Sequence, residues 1–324
     1  MRAVVVTELS GPDGMTVQEV PEPQADGAVL IDVRASGVCF PDLLISYGKY
    51  QLRPEPPFVP GAEVAGVVVS APPDSGLEPG RRVLAVSHVG GYAERVAVPP
   101  AQVLPIPDSL SFEAAASLIV NYQTMEFALQ RRAHVRSGET VVVLGAAGGV
   151  GTSTIQLAKA HGARVIAVVR RDGAGEFLRE LGADEVVQLR EGWGEHVRAL
   201  TGGVGAQVVV DPVGGDAFDE AVRVLAPEGR LLVIGFAGGA IPEVKLNRVL
   251  FRNISIVGAA WGEFLRTEPA ALAEVHAALL GHIERGLTPL VTGRYPLADA
   301  AEALRDLEAG RVLGKAVLVQ DREQ

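Results

Sequence analysis

The chain opens with short apolar runs separated by glycine and proline turns: RAVVVTEL, AVLIDVRAS, EVAGVVVS, RRVLAVS and YAERVAV. Valine-rich runs at such intervals predict the strands of a small barrel or sandwich. The proline-rich RPEPPFVPG, residues 53–61, predicts an extended loop before the EVAGVVVS strand. Near Ser111 the pattern changes. SFEAAASLIVNYQTMEFALQRRAHV is helical in composition, with Ser111 placed to cap it and Glu113 in its first turn. Strand and helix signals then alternate. TVVVLGA, RVIAVV, EVVQL, AQVVVDPV, GRLLVIGF and ISIVGAA are the strands, and amphipathic stretches such as GVGTSTIQLAKAHG separate the first of them. The strands are almost wholly apolar, as a parallel sheet covered on both faces requires. A doubly wound α/β domain is therefore predicted beside a β-rich one. Helices are predicted at 269–285 and 298–309, and the closing KAVLV reads as one more strand that returns to the first domain.

One loop carries a chemical signal. VVVLGAAGGVGTSTIQLAKAHGARVIAVVRR runs strand, glycine turn, helix, second strand, which is the context a dinucleotide site needs. Gly148 and Gly151 match the second and third glycines of G-x-G-x-x-G, and Ala146 replaces the first. Gly148 lets the backbone approach a pyrophosphate, and Gly151 lets the helix pack closely on the strand. Residues Ala147, Gly148, Gly149, Val150 and Gly151 are thus assigned to the cofactor. At the end of the second strand an NAD site would place a carboxylate. This chain has Val169, Arg170 and Arg171, and two guanidiniums suit a 2′-phosphate, so NADPH is favoured.

The composition narrows the class. A length of 324 residues suits two domains, and 48% apolar with 21% charged residues is globular. No run is long and apolar enough for a membrane span, and no secretory signal opens the chain, so a cytoplasmic address is expected. A net charge of −10 repels phosphate backbones, so no nucleic-acid partner is expected. Cys39 is the only cysteine, which rules out an internal disulfide. The six histidines show no metal-ligand spacing.

Several blocks in order, ASGVCFPDLL, PFVPGAEVAGVV, GGYAERVAVP, SGETVVVLGAAGGVG, LGADEVV, VVVDPVGGDAF, GRLLVIGFAGG and GKAVLV, resemble the medium-chain dehydrogenase/reductase superfamily. Within it they are most similar to the zinc-independent quinone oxidoreductase (zeta-crystallin-like) family. The resemblance implies a GroES-like catalytic domain from residues 1–120 and 262–324, a Rossmann NADPH-binding domain at 121–261, and a cleft between them. Zinc-dependent alcohol dehydrogenases of the superfamily carry a cysteine ligand where Cys39 stands. Zinc needs three protein ligands. Here Ala62 replaces the histidine of the second, and the third falls near Asn121, so no metal is expected and Cys39 is assigned as a pocket-lining, non-nucleophilic group. The resemblance further implies that Tyr50 and Thr124 line the nicotinamide pocket, with Tyr47 a second candidate donor. Asp42 would hold its loop, Asp211 would begin a turn at a strand end, and Gly235 and Phe236 would lie under the nicotinamide ribose. Lys315 would sit near the cofactor phosphates. Leu189 stands where many relatives carry a tyrosine near the adenosine, and Met125 and Glu126 alter the helix beside the nicotinamide.

A reductase without a metal must act where charge delocalises by itself, as when hydride reaches a quinone or another α,β-unsaturated carbonyl. That is the expected small-molecule substrate. An enoyl-CoA or other enoyl-thioester reductase is the nearest alternative, and a non-catalytic NADPH-binding structural or RNA-associated protein is the alternative of another class. The strand ISIVGAA, expected at the sheet edge, invites pairing with a second copy, so a homodimer is expected.

Overall fold

The structure is a computed structural model that describes residues 1–320. The chain divides into two compact units, Met1–Val120 together with the residues from Thr288 on, and Asn121–Leu287.

In the first unit Val29–Val38 is the organising strand. It pairs antiparallel with Glu63–Ser70, Arg95–Val98 and the closing Ala316–Val319, and the sheet continues through Arg82–Val86 to Val103–Pro105. Its inward residues Val29, Ile31 and Val33 meet Val64, Val68, Val83 and Val96 in one buried cluster. Gly293–Pro296 extends the sheet beyond the closing strand, in parallel. Its short, mixed sequence gave no strand signal, because pairing with Ala316–Val319 supplies what propensity does not. Arg2–Val6 forms a separate ladder with Met15–Glu19.

The second unit is a six-stranded parallel sheet. Its order is Glu185–Gln188, Arg164–Val169, Thr140–Val143, Ala206–Asp211, Leu225–Val233, Ser255–Gly258. Numbered within the sheet, that is 3-2-1-4-5-6, so the order reverses between Thr140–Val143 and Ala206–Asp211. Val141, Val142, Val143, Val208, Val209 and Val210 are wholly buried, as two-faced coverage demands.

One boundary differs from expectation. Helix Ala271–Glu284 belongs to the parallel-sheet unit, and the returning segment starts at Thr288 instead of residue 262. The apolar residues of this helix, Ala271, Leu272 and Leu279, are buried. A sequence pattern marks such a face but not what covers it. The helical stretch after Ser111 forms as Phe112–Ala115, capped by Ser111 Oγ accepting from the Ala114 N–H at 3.1 Å. It resumes over residues 118–132, where two segments, Leu118–Gln123 and Phe127–Arg132, are wound as π-helix around Thr124–Glu126. Such wide turns are rare and cluster at functional positions. Among the described residues no helix is long and apolar enough to cross a membrane.

Candidate functional site

The phosphate loop lies at the switch point of the parallel sheet. Thr140–Val143 feeds the turn, and helix Gly149–Ala160 starts from Gly148. The left-handed residue of the turn is Gly145, with φ 58°, one position before the alanine aligned with the first motif glycine. Ala146 itself is buried and donates its N–H to Val168 O. A Cβ at Gly151 would collide with Gly145 O and the Ala146 backbone, and one at Gly149 would strike the Asn121 amide. Only Gly148 faces open space on its approach side, its ideal Cβ meeting nothing closer than 3.5 Å. The backbone there fits a pyrophosphate, and the first-turn N–H groups of the helix have no acceptor within the helix itself.

The other positions assigned to the cofactor fall around this loop to different degrees. Arg170 and Arg171 directly follow Val169, the last residue of the strand beside the loop strand, and both are exposed. Asp211 ends the strand on the other side of the switch point. It is buried, and its Oδ1 accepts the N–H groups of Val213 and Gly214, each at 2.8 Å. Burial raises its pKa, with those two N–H groups pulling the other way. Through Oδ1, Asp211 therefore shapes the turn. Gly235 is half-buried, and Phe236 is exposed beside Gly214. Thr124 is half-buried in the π-flanked helix.

In the first unit the chain reaches Cys39 at the end of Val29–Val38, where Cys39 caps helix Phe40–Ser46. Asp42 Oδ2 accepts the Cys39 N–H at 3.1 Å and the Tyr92 hydroxyl at 3.0 Å, so the expected loop-holding role is visible. Lys315 was expected beside cofactor phosphates. It is instead only 3% exposed, and its Nζ donates to Glu63 Oε1 at 2.5 Å and to Cys39 Sγ at 3.0 Å. Glu63 is fully buried, and its second oxygen accepts the Val120 N–H at 2.9 Å. Cys39 is also buried, at 3% exposure. Burial pushes its thiol well above the usual value, against the pull of Lys315. The thiol donates to Glu63 Oε1 at 3.2 Å. Burial opposes the Lys315 charge, but Cys39 and Glu63 outweigh it and its pKa rises. Tyr50 is half-buried just beyond the helix, and Tyr47 is committed to Glu308 at 3.1 Å.

Asp42 gives this cluster a pH signature. Burial pushes its carboxyl up to about 6, above the ordinary 3.8. A raised folded-state value means that Asp42 favours folding most in acid, below its unfolded value, and that this contribution is lost as the pH rises through about 6. Wild type is therefore expected to lose roughly 1 kcal/mol of stability per pH unit relative to Asp42→Asn across that interval. Melting curves of the two proteins from about pH 4 to about pH 7 test this, and parallel profiles would contradict it.

Comparison with known proteins matches both units. Residues 25–108 match the alcohol dehydrogenase GroES-like domain, and residues 149–277 match the zinc-binding dehydrogenase domain. The chain is 37% identical over 322 residues to rat quinone oxidoreductase-like protein 2, covering 98% of this chain and 91% of that one. A probable oxidoreductase from Mycobacterium abscessus superposes with a TM-score of 0.92 at 53% identity, over 98% of each chain. The Thermus thermophilus quinone oxidoreductase, solved alone and with NADPH, gives 0.86 at 38% identity, over 98% of this chain and 100% of that one. The chain belongs to the quinone oxidoreductase family of the medium-chain dehydrogenase/reductases. It is an enzyme, an oxidoreductase. The enoyl reductase CurK is also similar, with a TM-score of 0.87 at 25% identity, over 98% and 99% of the two chains.

The zinc named in one domain description does not fit the Cys39 position. Three protein ligands are needed. Ala62 offers no donor side chain, and the one thiol is already hydrogen-bonded to an ammonium. In this member of the quinone oxidoreductase family the Lys315 charge balances the buried Glu63 carboxylate beside Cys39.

Proposed function

We propose that this oxidoreductase binds NADPH on the Asn121–Leu287 unit and reduces quinones or related α,β-unsaturated carbonyls without a catalytic metal. The observation that carries the reading is the placement of Arg170 and Arg171 at the end of the strand next to the glycine loop. That is where a carboxylate would select NADH and where guanidiniums select the 2′-phosphate. NADPH would supply the hydride. The backbone from Ala147 to Gly151 would cradle its pyrophosphate, and Asp211 would hold the turn through Gly214 on the far side of the switch point. Gly235 and Phe236 would border the ribose, and Thr124 the nicotinamide. Tyr50 is assigned the hydrogen bond to the carbonyl oxygen on which charge develops, and a neutral phenol suits that task. Lys315 takes no part in phosphate binding in this reading, because both its bonds are internal to the buried cluster.

The test is NADPH oxidation by the purified, chelator-treated enzyme, offered para-quinones and 2-enoyl-CoA esters. Quinone turnover surviving chelation is the expected result. Strong preference for the thioester would transfer the assignment to an enoyl-thioester reductase, and cofactor binding without turnover of either would remove it. Tyr50→Phe is expected to lower kcat by roughly 100- to 1,000-fold with KM for NADPH unchanged, as loss of one positioned donor does.

The same family reading, with the open sheet edge, supports a homodimer. Among the described residues Ser255–Gly258 pairs on one side only, with Leu225–Val233. Beside it in the chain, Leu246, Leu250 and Phe251 of one helix are 76, 68 and 79% exposed. An apolar patch flanking a bare strand edge is what a second copy would cover. Leu250→Asp with Phe251→Asp is expected to give monomers in light scattering, whereas an unchanged mass would exclude this face. A cytoplasmic setting fits the single reduced cysteine.

A further inference from the structure

Outside the cofactor loop, the Asn121–Leu287 unit gathers one more set of titratable groups. Glu126 lies between the two π-wound segments, His161 ends helix Gly149–Ala160, and His282 lies in the last turn of Ala271–Glu284. His161 Nε2 is 2.9 Å from Glu126 Oε2, and His282 Nε2 is 3.6 Å from the same oxygen. All three atoms lie within 4.8 Å of one another. Glu126 and His282 are buried, and among the described residues no lysine or arginine forms an ion pair with Glu126.

We propose that Glu126, His161 and His282 form a binding site for one divalent transition-metal ion, with zinc the best fit. Two imidazole nitrogens and a carboxylate oxygen with a fourth, water-filled position are a common zinc donor set. A tetrahedral ion with bonds of about 2.0–2.1 Å holds its ligand atoms roughly 3.3 Å apart. The two separations from Glu126, 2.9 and 3.6 Å, bracket that value, and the two imidazole nitrogens, which lie within 4.8 Å of each other, must draw together to close the site. At 3.6 Å the His282–Glu126 approach is too long for a direct hydrogen bond. A buried carboxylate also requires a compensating charge, and a cation shared with two neutral imidazoles supplies it.

One neighbour works against the ion. The Arg285 guanidinium donates to His282 Nδ1 at 3.0 Å, which leaves the proton of the neutral ring on Nε2, the atom the metal requires. Loading must therefore move that proton to Nδ1 and displace Arg285, which is exposed at the helix end. The ion would fasten the helix that begins at the phosphate loop, at its far end, to the two others that carry the ligands. It would not take part in hydride transfer.

The test uses the full-length protein stripped with chelator and titrated with Zn²⁺ by calorimetry and with Co²⁺ by visible absorption. One equivalent is expected to bind, with the intense absorption of a four-coordinate cobalt site and a raised melting temperature. Glu126→Gln and His282→Asn should each abolish the cobalt spectrum while NADPH binding is retained, which shows that the variants fold. Arg285→Ala should tighten zinc binding by about tenfold, since it removes the competing donor. A merely structural hydrogen-bond network predicts no such gain. Absence of saturable binding in both wild type and Arg285→Ala would overturn the site, and so would binding that persists in the Glu126 and His282 variants.

Discussion

Replacing Arg170 and Arg171 together by alanine is expected to weaken NADPH on the order of 100-fold and to leave NADH within a few-fold. A charge-assisted bond to phosphate contributes about 1.5–3 kcal/mol. Both side chains are exposed, so the lower end applies to each, and together they give roughly 3 kcal/mol. Fluorescence titration of the two coenzymes against wild type and the double variant reads the difference directly. Melting curves of the double variant, whose arginines follow the strand and are exposed, check that the fold is kept. Equal loss for NADPH and NADH would refute the 2′-phosphate assignment, and loss for neither would move the adenosine end elsewhere.

Lys315→Met should produce the largest stability change in the first unit. Its ammonium and the Glu63 carboxylate are 2.5 Å apart at 3% and 0% exposure, so water screens neither. Removing one partner strands the other as an uncompensated buried charge, at a cost of about 3–5 kcal/mol. For a unit of this size that corresponds to a melting point lower by roughly 10 °C. The loss should be insensitive to added salt, unlike that of a surface pair. Adding Glu63→Gln to Lys315→Met should restore much of it, since the amide oxygen can still accept from the Val120 N–H without a bare charge. Because the Lys315 pKa is raised, its contribution is complete below the ordinary lysine value of 10.5 and is lost only as strong alkali passes the folded-state value. Differential scanning calorimetry, with the two units allowed separate transitions, measures the effect. A single variant that melts with wild type would mean that the ammonium does not hold this cluster together.

Lys315 also marks the limit of what residue order can tell. Family likeness placed it near phosphates, and the sheet places it against Cys39 and Glu63 because Ala316–Val319 pairs with Val29–Val38, Ala316 opposite Val38. No pattern near residue 315 announces a carboxylate that lies 252 positions earlier. The histidines show the same limit. His161 and Glu126 are separated by 35 residues and show no ligand spacing, yet two helices bring them to 2.9 Å. Family likeness marked Asp42 as a loop anchor but not as a titrating group, since its shift comes first from burial.

By itself, the sequence determined the elements and their chemistry at short range. Apolar continuity predicted the parallel strands, Ser111 the start of a helix, and the glycine spacing the turn that faces a phosphate, because each depends on dihedral preferences and hydrogen bonds among neighbours in the chain. Tertiary structure alone decided that the tight turn falls at Gly145, that helix Ala271–Glu284 joins the parallel-sheet unit, and that an ammonium balances Glu63 beside the one thiol. Those outcomes depend on which surfaces are buried against which, and burial and charge pairing between distant segments are fixed by packing of the whole unit, not by local preference.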